Sequence, residues 1–155
     1  MMKEIKKVLF PVDLSDVSPK IAPWVLSLAK TFDAEVHLIF VARQFEHFSR
    51  VYVAPESIEN FEQEILRGAE RSLEEFVKHQ FESKGFDRCV PRVVLGDAAE
   101  EILEYTRSAH IDMVIMGTHG RKGLERVLFG SVADRVVKMC TAPVLTVNPY
   151  RVADS

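Results

Sequence analysis

A chain of 155 residues has room for one sizeable core, because folding at this length removes roughly 70% of the unfolded surface from water. Apolar residues at 47% and charged residues at 28% exclude a disordered chain, and 7 Gly, 7 Pro and 2 Cys exclude collagen and a disulfide scaffold. With 20 Lys and Arg against 23 Asp and Glu the net charge is −3, which offers no basic face for nucleic acid.

Val8 to Val12 is the first short apolar run. It lacks in/out alternation, as a strand covered on both faces does. It is too short for the core of a signal peptide, and no stretch nears the ~20 apolar residues of a membrane span, so a soluble cytoplasmic protein is expected. Ser18-Pro19 then reads as an N-cap and first-turn proline, with Ile21, Val25, Leu28, Ala29 and Phe32 on one helical stripe. Pro23 would remove a hydrogen bond from that helix, so a start at Pro23 is the alternative. The second strand is Val36 to Val41. Arg43 to Glu56 is the long connection; it carries Phe45, Phe48, Tyr52 and Pro55 without a period, and reads either as a functional loop or as a surface insertion.

The longest helix aligns Ile58, Phe61, Ile65, Ala69, Leu73, Phe76 and Val77, and runs out at Lys84-Gly85. Val90 to Leu95 is the third strand, and a helix after Gly96-Asp97 turns Ile102, Tyr105 and Thr106 inward. Met113 to Met116 is the fourth strand. The last helix carries Val132, Ala133, Val136, Val137 and Cys140 and stops before Pro143; Val144 to Val147 closes the series. Cys89 and Cys140 belong to no CxxC or Cys/His cluster and read as two small buried thiols in a reduced cytosol. Strands alternating with helices call for right-handed crossovers and a doubly wound parallel sheet, one α/β domain over residues 1–150 with 151–155 as a tail.

The chemistry concentrates in Gly117-Thr118-His119-Gly120-Arg121-Lys122-Gly123-Leu124-Glu125-Arg126-Val127-Leu128-Phe129-Gly130-Ser131, which starts where the fourth strand ends. Ligands of open α/β sheets bind beyond the carboxyl ends of the strands. Glycines there admit close backbone approach, or serve simply as turn residues. Ser131 is placed to cap the last helix, with Asp134 three residues on as a capping-box-like partner. A helix starting at Gly130-Ser131 turns free N–H groups and its positive dipole end toward the cleft, a physical site for phosphate. Arg121, Lys122 and Arg126 add cationic side chains. His119 has no partner in sequence and reads as a solvated loop residue rather than a general base. Asp13, followed by Ser15 and Asp16, is consistent with turn chemistry alone.

The spacing Gly117-x2-Gly120-x9-Gly130-Ser131 resembles the nucleotide-binding motif of the universal stress protein family. The likeness extends to Lys7-Val8-Leu9-Phe10-Pro11-Val12-Asp13, to Val94-Leu95-Gly96-Asp97-Ala98 and to Ala142-Pro143-Val144-Leu145-Thr146-Val147, and so to almost the whole chain. It implies a five-stranded sheet of order 3-2-1-4-5, adenine nucleotide alpha hydrolase-like, with ATP (or ADP or AMP) in the cleft between strands one and four. The resemblance places Asp13 on the ribose or adenine region, after Pro11 and Val12. Val41 and Met116 would line the base. Gly117, Gly120 and Arg121 would lie along the ribose and phosphates, and Gly130, Ser131 and Val132 would meet the phosphates. Ala133 departs from the Thr or Ser frequent in the family at that position, which removes one phosphate contact. Mg²⁺ is expected with the nucleotide, its ligands unassigned, and no catalytic residue is assigned. A homodimer through residues 143–148 is implied as well.

The chain has no GxxxxGK(S/T), no GxGxxG after the first strand, no metal-ligand spacing and no GxSxG. The expectation is therefore an ATP-binding regulatory or stress-response protein, a nucleotide binder rather than a catalyst, with an unidentified protein partner. The alternative is a slow ATP hydrolase or nucleotidyl transferase using the same cleft.

Overall fold

Each Val- and Ile-rich run forms a strand, and the strands are joined by helices throughout. The structure is a computed structural model that describes residues 2–43, 55–119 and 130–151. The strands are β1 (Lys7–Val12), β2 (Glu35–Ala42), β3 (Cys89–Leu95), β4 (Met113–Gly117) and β5 (Val144–Val147). Among the described residues the helices are α1 (Ser18–Phe32), α2 (Pro55–Gln80), α3 (Ala98–Ser108) and α4 (Ser131–Met139), with a 3-10 turn at Glu82–Lys84. All pairings are parallel, in the order β3-β2-β1-β4-β5. The pairing of β1 with β2 runs from Lys7↔Glu35 to Val12↔Phe40, whereas β1 and β4 pair only at Val8↔Met113 and Leu9↔Val114.

The side-chain alternation of the strands divides the core between two faces. Val8, Phe10, Val12 and Ile115 join Ile21, Ala22, Val25 and Ala29 of α1 and Leu73 and Val77 of α2. Leu9, Ile39, Val114 and Met116 join Ala99 and Ile102 of α3 and Ala133 and Val136 of α4. Phe10 is fully buried, its ring 6.1 Å from Phe76 and 6.5 Å from Phe81 between centroids. Both faces being covered explains why the strands read as continuous apolar runs.

Several local expectations are corrected. α1 begins at Ser18 and carries Pro23 inside it, exposed, because the buried face of Ile21, Ala22, Val25 and Leu26 holds the turn that the missing N–H weakens. Ser18 is not the cap: Val17 occupies that position, and no side chain caps the helix. On α2, Phe61 falls off the buried stripe and is 52% exposed, and on α4 Val137 is exposed likewise. α2 stops at Gln80, short of the expected end at Lys84-Gly85, which instead closes the 3-10 turn that follows, with Gly85 at φ 80°. Cys89 and Cys140 are both free and half-buried. Burial, with Glu82 and Asp87 nearby, pushes the Cys89 thiol up to about 12. The long connection expected at Arg43 to Glu56 lies outside the described residues from 44 to 54.

Candidate functional site

β1 lies between β2 and β4, so the chain leaves its carboxyl end at the point where the sheet's winding reverses. Asp13 is the first residue past the strand. Its Oδ1 accepts from Ser15 N at 3.0 Å, Ser15 Oγ at 2.6 Å and Ser18 Oγ at 2.9 Å. Its own amide donates to Ser18 Oγ at 3.2 Å, and Val17 N donates to Ser15 Oγ at 3.2 Å. Between them Leu14 sits at φ 59°, a left-handed conformation that costs a residue with a Cβ roughly 1–2 kcal/mol. The bend is thus tied down by hydrogen bonds that converge on one carboxylate oxygen. Among the described residues nothing donates to Asp13 Oδ2.

The facing corner is built by β4 and the start of α4. Thr118 N donates to Val147 O at 2.9 Å, which secures the end of β4 to β5. Thr118 O then accepts from Gly130 N at 2.8 Å, which fixes where α4 begins. Gly130 is the N-cap, with an extended ψ of 150°, and no side chain caps the helix. The expected capping box is therefore a correction. Ser131 is already the first helical residue and is exposed, while Asp134 donates its amide to Gly130 O and its carboxylate accepts from Lys138 at 3.0 Å. The amides of Ser131, Val132 and Ala133 meet no acceptor among the described residues, as first-turn amides do when no cap serves them.

The two glycines at these ends have different causes. A Cβ on Gly117 would lie 2.6 Å from Ile21 Cδ1 and 3.0 Å from His119 O, so α1 packs on bare backbone there. A Cβ on Gly130 would meet nothing nearer than Thr118 O at 3.5 Å, and φ −59° suits any residue. Nothing among the described residues requires glycine at 130.

His119 is also a correction. It is buried, not solvated: only 7% of its surface is exposed. Its Nδ1 shares a 2.8 Å hydrogen bond with Thr118 Oγ1, and its ring stands edge-on to Tyr150 at 5.4 Å between centroids.

The universal stress protein family model matches residues 4–148. The chain belongs to that family. It is 37% identical over 143 residues to universal stress protein MJ0531 of Methanocaldococcus jannaschii, covering 92% of this chain and 82% of that protein. It is 33% identical over 155 residues to MJ0577 of the same organism, covering 92% and 94%. The solved structure of MJ0577 superposes with a TM-score of 0.81 at 28% identity, over 99% of this chain and 100% of that one. A universal stress protein of Archaeoglobus fulgidus in complex with dAMP shares the fold with a TM-score of 0.63 at 15% identity, over 93% and 98%. Another universal stress protein, in complex with cAMP, does so with 0.61 at 20% identity, over 95% and 99%.

Of the residues expected at the site, those on the strands lie at the carboxyl edge of the sheet. Pro11 and Val12 end β1 and Asp13 follows them, Val41 nears the end of β2, and Met116 and Gly117 end β4. Met116 is buried, and Val41 and Val132 pack on the same apolar cluster. Gly120, Arg121, Lys122 and Arg126 lie outside the described residues. Sequence reasoning missed Thr118, whose carbonyl anchors α4, and the service of Ser18 to Asp13. A hydroxyl five residues after the strand-end aspartate was the available signal for Ser18. Nothing local marked Thr118. Among the described residues no group of three or more His, Cys, Asp or Glu is placed to hold a metal ion, and no helix is long and apolar enough to cross a membrane.

Proposed function

We propose that this universal stress protein binds ATP, or its di- or monophosphate, in the corner between β1 and β4, and that it acts as a nucleotide-dependent regulatory or stress-response protein. One observation carries the reading: the uncapped start of α4, anchored through Gly130 N on Thr118 O, leaves the amides of Ser131, Val132 and Ala133 with no acceptor among the described residues, available to an anion at the positive end of the helix. The lack of any close contact for a Cβ at Gly130 supports it, since a glycine with no reason among the described residues suits a ligand that approaches closely. Two proteins of the same fold hold adenine nucleotides, cAMP in one and dAMP in the other, so the fold accommodates that class of ligand.

In this reading Gly130, Ser131 and Val132 receive the phosphates, with Gly120 and Arg121 joining them. Val41 and Met116 flank the base, and Pro11, Val12 and Asp13 border the ribose, for which Asp13 Oδ2 is an acceptor with no described donor. Gly117 contributes by letting α1 close on β4. A Mg²⁺ ion accompanying the nucleotide would draw most of its ligands from phosphate oxygens and water, with Asp13, just past the end of β1, as a carboxylate that would join them. Titration calorimetry with ATP, ADP, AMP and adenosine tests the reading. Saturable binding that weakens as phosphates are removed is expected; no heat with any of them overturns it.

A further inference from the structure

Two histidines among the described residues are buried, and one of them is held between a carboxylate and a phenol. His37, on β2, has Nε2 2.7 Å from Glu35 Oε1 and Nδ1 2.6 Å from the hydroxyl of Tyr105 on α3. An ionised carboxylate only accepts, so Nε2 carries the ring proton. In the neutral ring Nδ1 is then a lone pair, and the Tyr105 O–H donates to it. The fold thus lines up an orienting acid, a base and a hydroxyl, which is how a base activates a nucleophile.

The base is shielded while both ends of this chain keep surface in water. His37 is 7% exposed, whereas Tyr105 and Glu35 are half-buried. Glu35 opens β2 and Tyr105 lies in the last turn of α3, so the three sit toward the amino edge of the sheet, away from the nucleotide corner. The charged neighbours on that side come from three elements. Lys7 pairs in register with Glu35 and donates through Nζ to Ala109 O at 3.2 Å. Glu101 stands one turn before Tyr105 on α3, and Arg92 lies two residues past Val90, the β3 partner of His37. Both hydrogen-bonding positions of the ring are nonetheless taken by Glu35 and Tyr105.

We propose that Tyr105 is a nucleophilic tyrosine that accepts an acyl group from activated esters, with His37 as its general base and Glu35 as the residue that positions the ring. Tyr105 Oη attacks the ester carbonyl carbon as its proton passes to His37 Nδ1. The bond to the leaving oxygen breaks, and that oxygen takes the proton from the imidazolium and departs as an alcohol or phenol. The product is an O-acyl tyrosine on α3. Glu35 stabilises the imidazolium formed on the way. The site is independent of nucleotide binding.

Acylation by 4-nitrophenyl acetate, followed residue by residue with peptide mass spectrometry, tests it. The references are Tyr105 of the urea-unfolded chain and Tyr150, which at 37% is the more exposed of the two in the folded chain. Burial alone slows a tyrosine on folding. Tyr105 is instead expected to react about tenfold faster folded than unfolded, and faster than Tyr150. Its rate should level off above the range in which imidazoles lose their proton, whereas an unassisted phenol gains rate up to its own ionisation near about 10. His37→Phe should slow Tyr105 by about a hundredfold, the scale of general-base catalysis, with Tyr150 unchanged. Glu35→Gln removes the charge that favours the imidazolium, so the plateau should begin at lower pH and the rate fall by about tenfold. The folded-to-unfolded ratio and the pH profile are read in wild type and stand even if the Phe variant fails to fold. Tyr105 that reacts no faster folded than unfolded, or equally fast in folded His37→Phe, overturns the inference, and neither result bears on ATP binding.

Discussion

Gly117 and Gly130 look alike in the sequence and are separated by what a methyl group would touch. Gly117→Ala drives a Cβ into Ile21 Cδ1 and His119 O, an overpacking expected to cost about 1–3 kcal/mol in urea denaturation. Ile21→Val removes the opposing Cδ1, so the double variant should recover part of that loss. Gly130→Ala meets only an ordinary contact with Thr118 O. Its stability should fall by no more than the roughly 1 kcal/mol that alanine costs at an N-cap, while its ATP affinity falls by about tenfold as the methyl displaces a phosphate from its closest approach. Cys89 provides a pH prediction. Its thiol is raised from 9.0 to about 12 in the folded chain, so the unfolded chain releases that proton first as pH rises. The associated stability is complete below pH 9 and declines between 9 and 12. Cys89→Ala should flatten that alkaline decline in melts taken across the interval, and iodoacetamide should modify Cys89 faster in urea than in the native protein, because the thiolate is the nucleophile.

At the level of elements, α3 and α4 start in opposite ways. Asp97 caps α3 by accepting from Glu100 N at 3.0 Å, and it also pairs with Arg135 of α4 at 3.0 Å. Asp97→Ala should destabilise by about 1 kcal/mol in chemical denaturation, nearly all of it from the cap, since an exposed ion pair adds little. α4 has no such side chain, and its bare start is what a phosphate would occupy. This contrast also marks how far the sequence could be read. Strand positions and order followed from apolar runs and from the resemblance because both faces of the sheet are covered, and burial leaves a dense local signature. The start of α1 was ambiguous because Pro23 weakens the helix locally, while the packing of Ile21 and Ala22 that overrides it is long-range. Ser131 resembled a cap because Ser and Asp three apart usually are one; the carbonyl that displaces it, Thr118 O, comes from another element. His119 was misjudged for the same reason: Tyr150, which helps to bury it, is thirty-one positions away along the chain.

For the whole molecule we propose one domain over residues 1–150 that pairs with a second copy through 143–148. β5 is a sheet edge, Val144 to Thr146 are only half-buried, and Val137 and Met139 stand exposed on the adjacent helix. Leu145→Pro should convert a dimer to monomer in light scattering; an unchanged mass places the contact elsewhere. Nucleotide occupancy should raise the melting temperature, equivalent to about 2.7 kcal/mol when free ATP is at a hundred times its dissociation constant. Intact ATP persisting through that titration separates a binding protein from a slow hydrolase. The short β1–β4 register has a mechanical outcome. β2 is fastened to β1, and β3 to β2, along nearly their full length, while β4 and β5 join that block through two paired positions of the ladder, Val8↔Met113 and Leu9↔Val114. The ladder therefore narrows to a waist at its centre, and twisting of the two unequal blocks about that waist is the deformation expected to be softest. A molecule gripping Asp13 on one side and α4 on the other would brace the waist, and amide exchange in Ile115 to Gly117 should slow when it does.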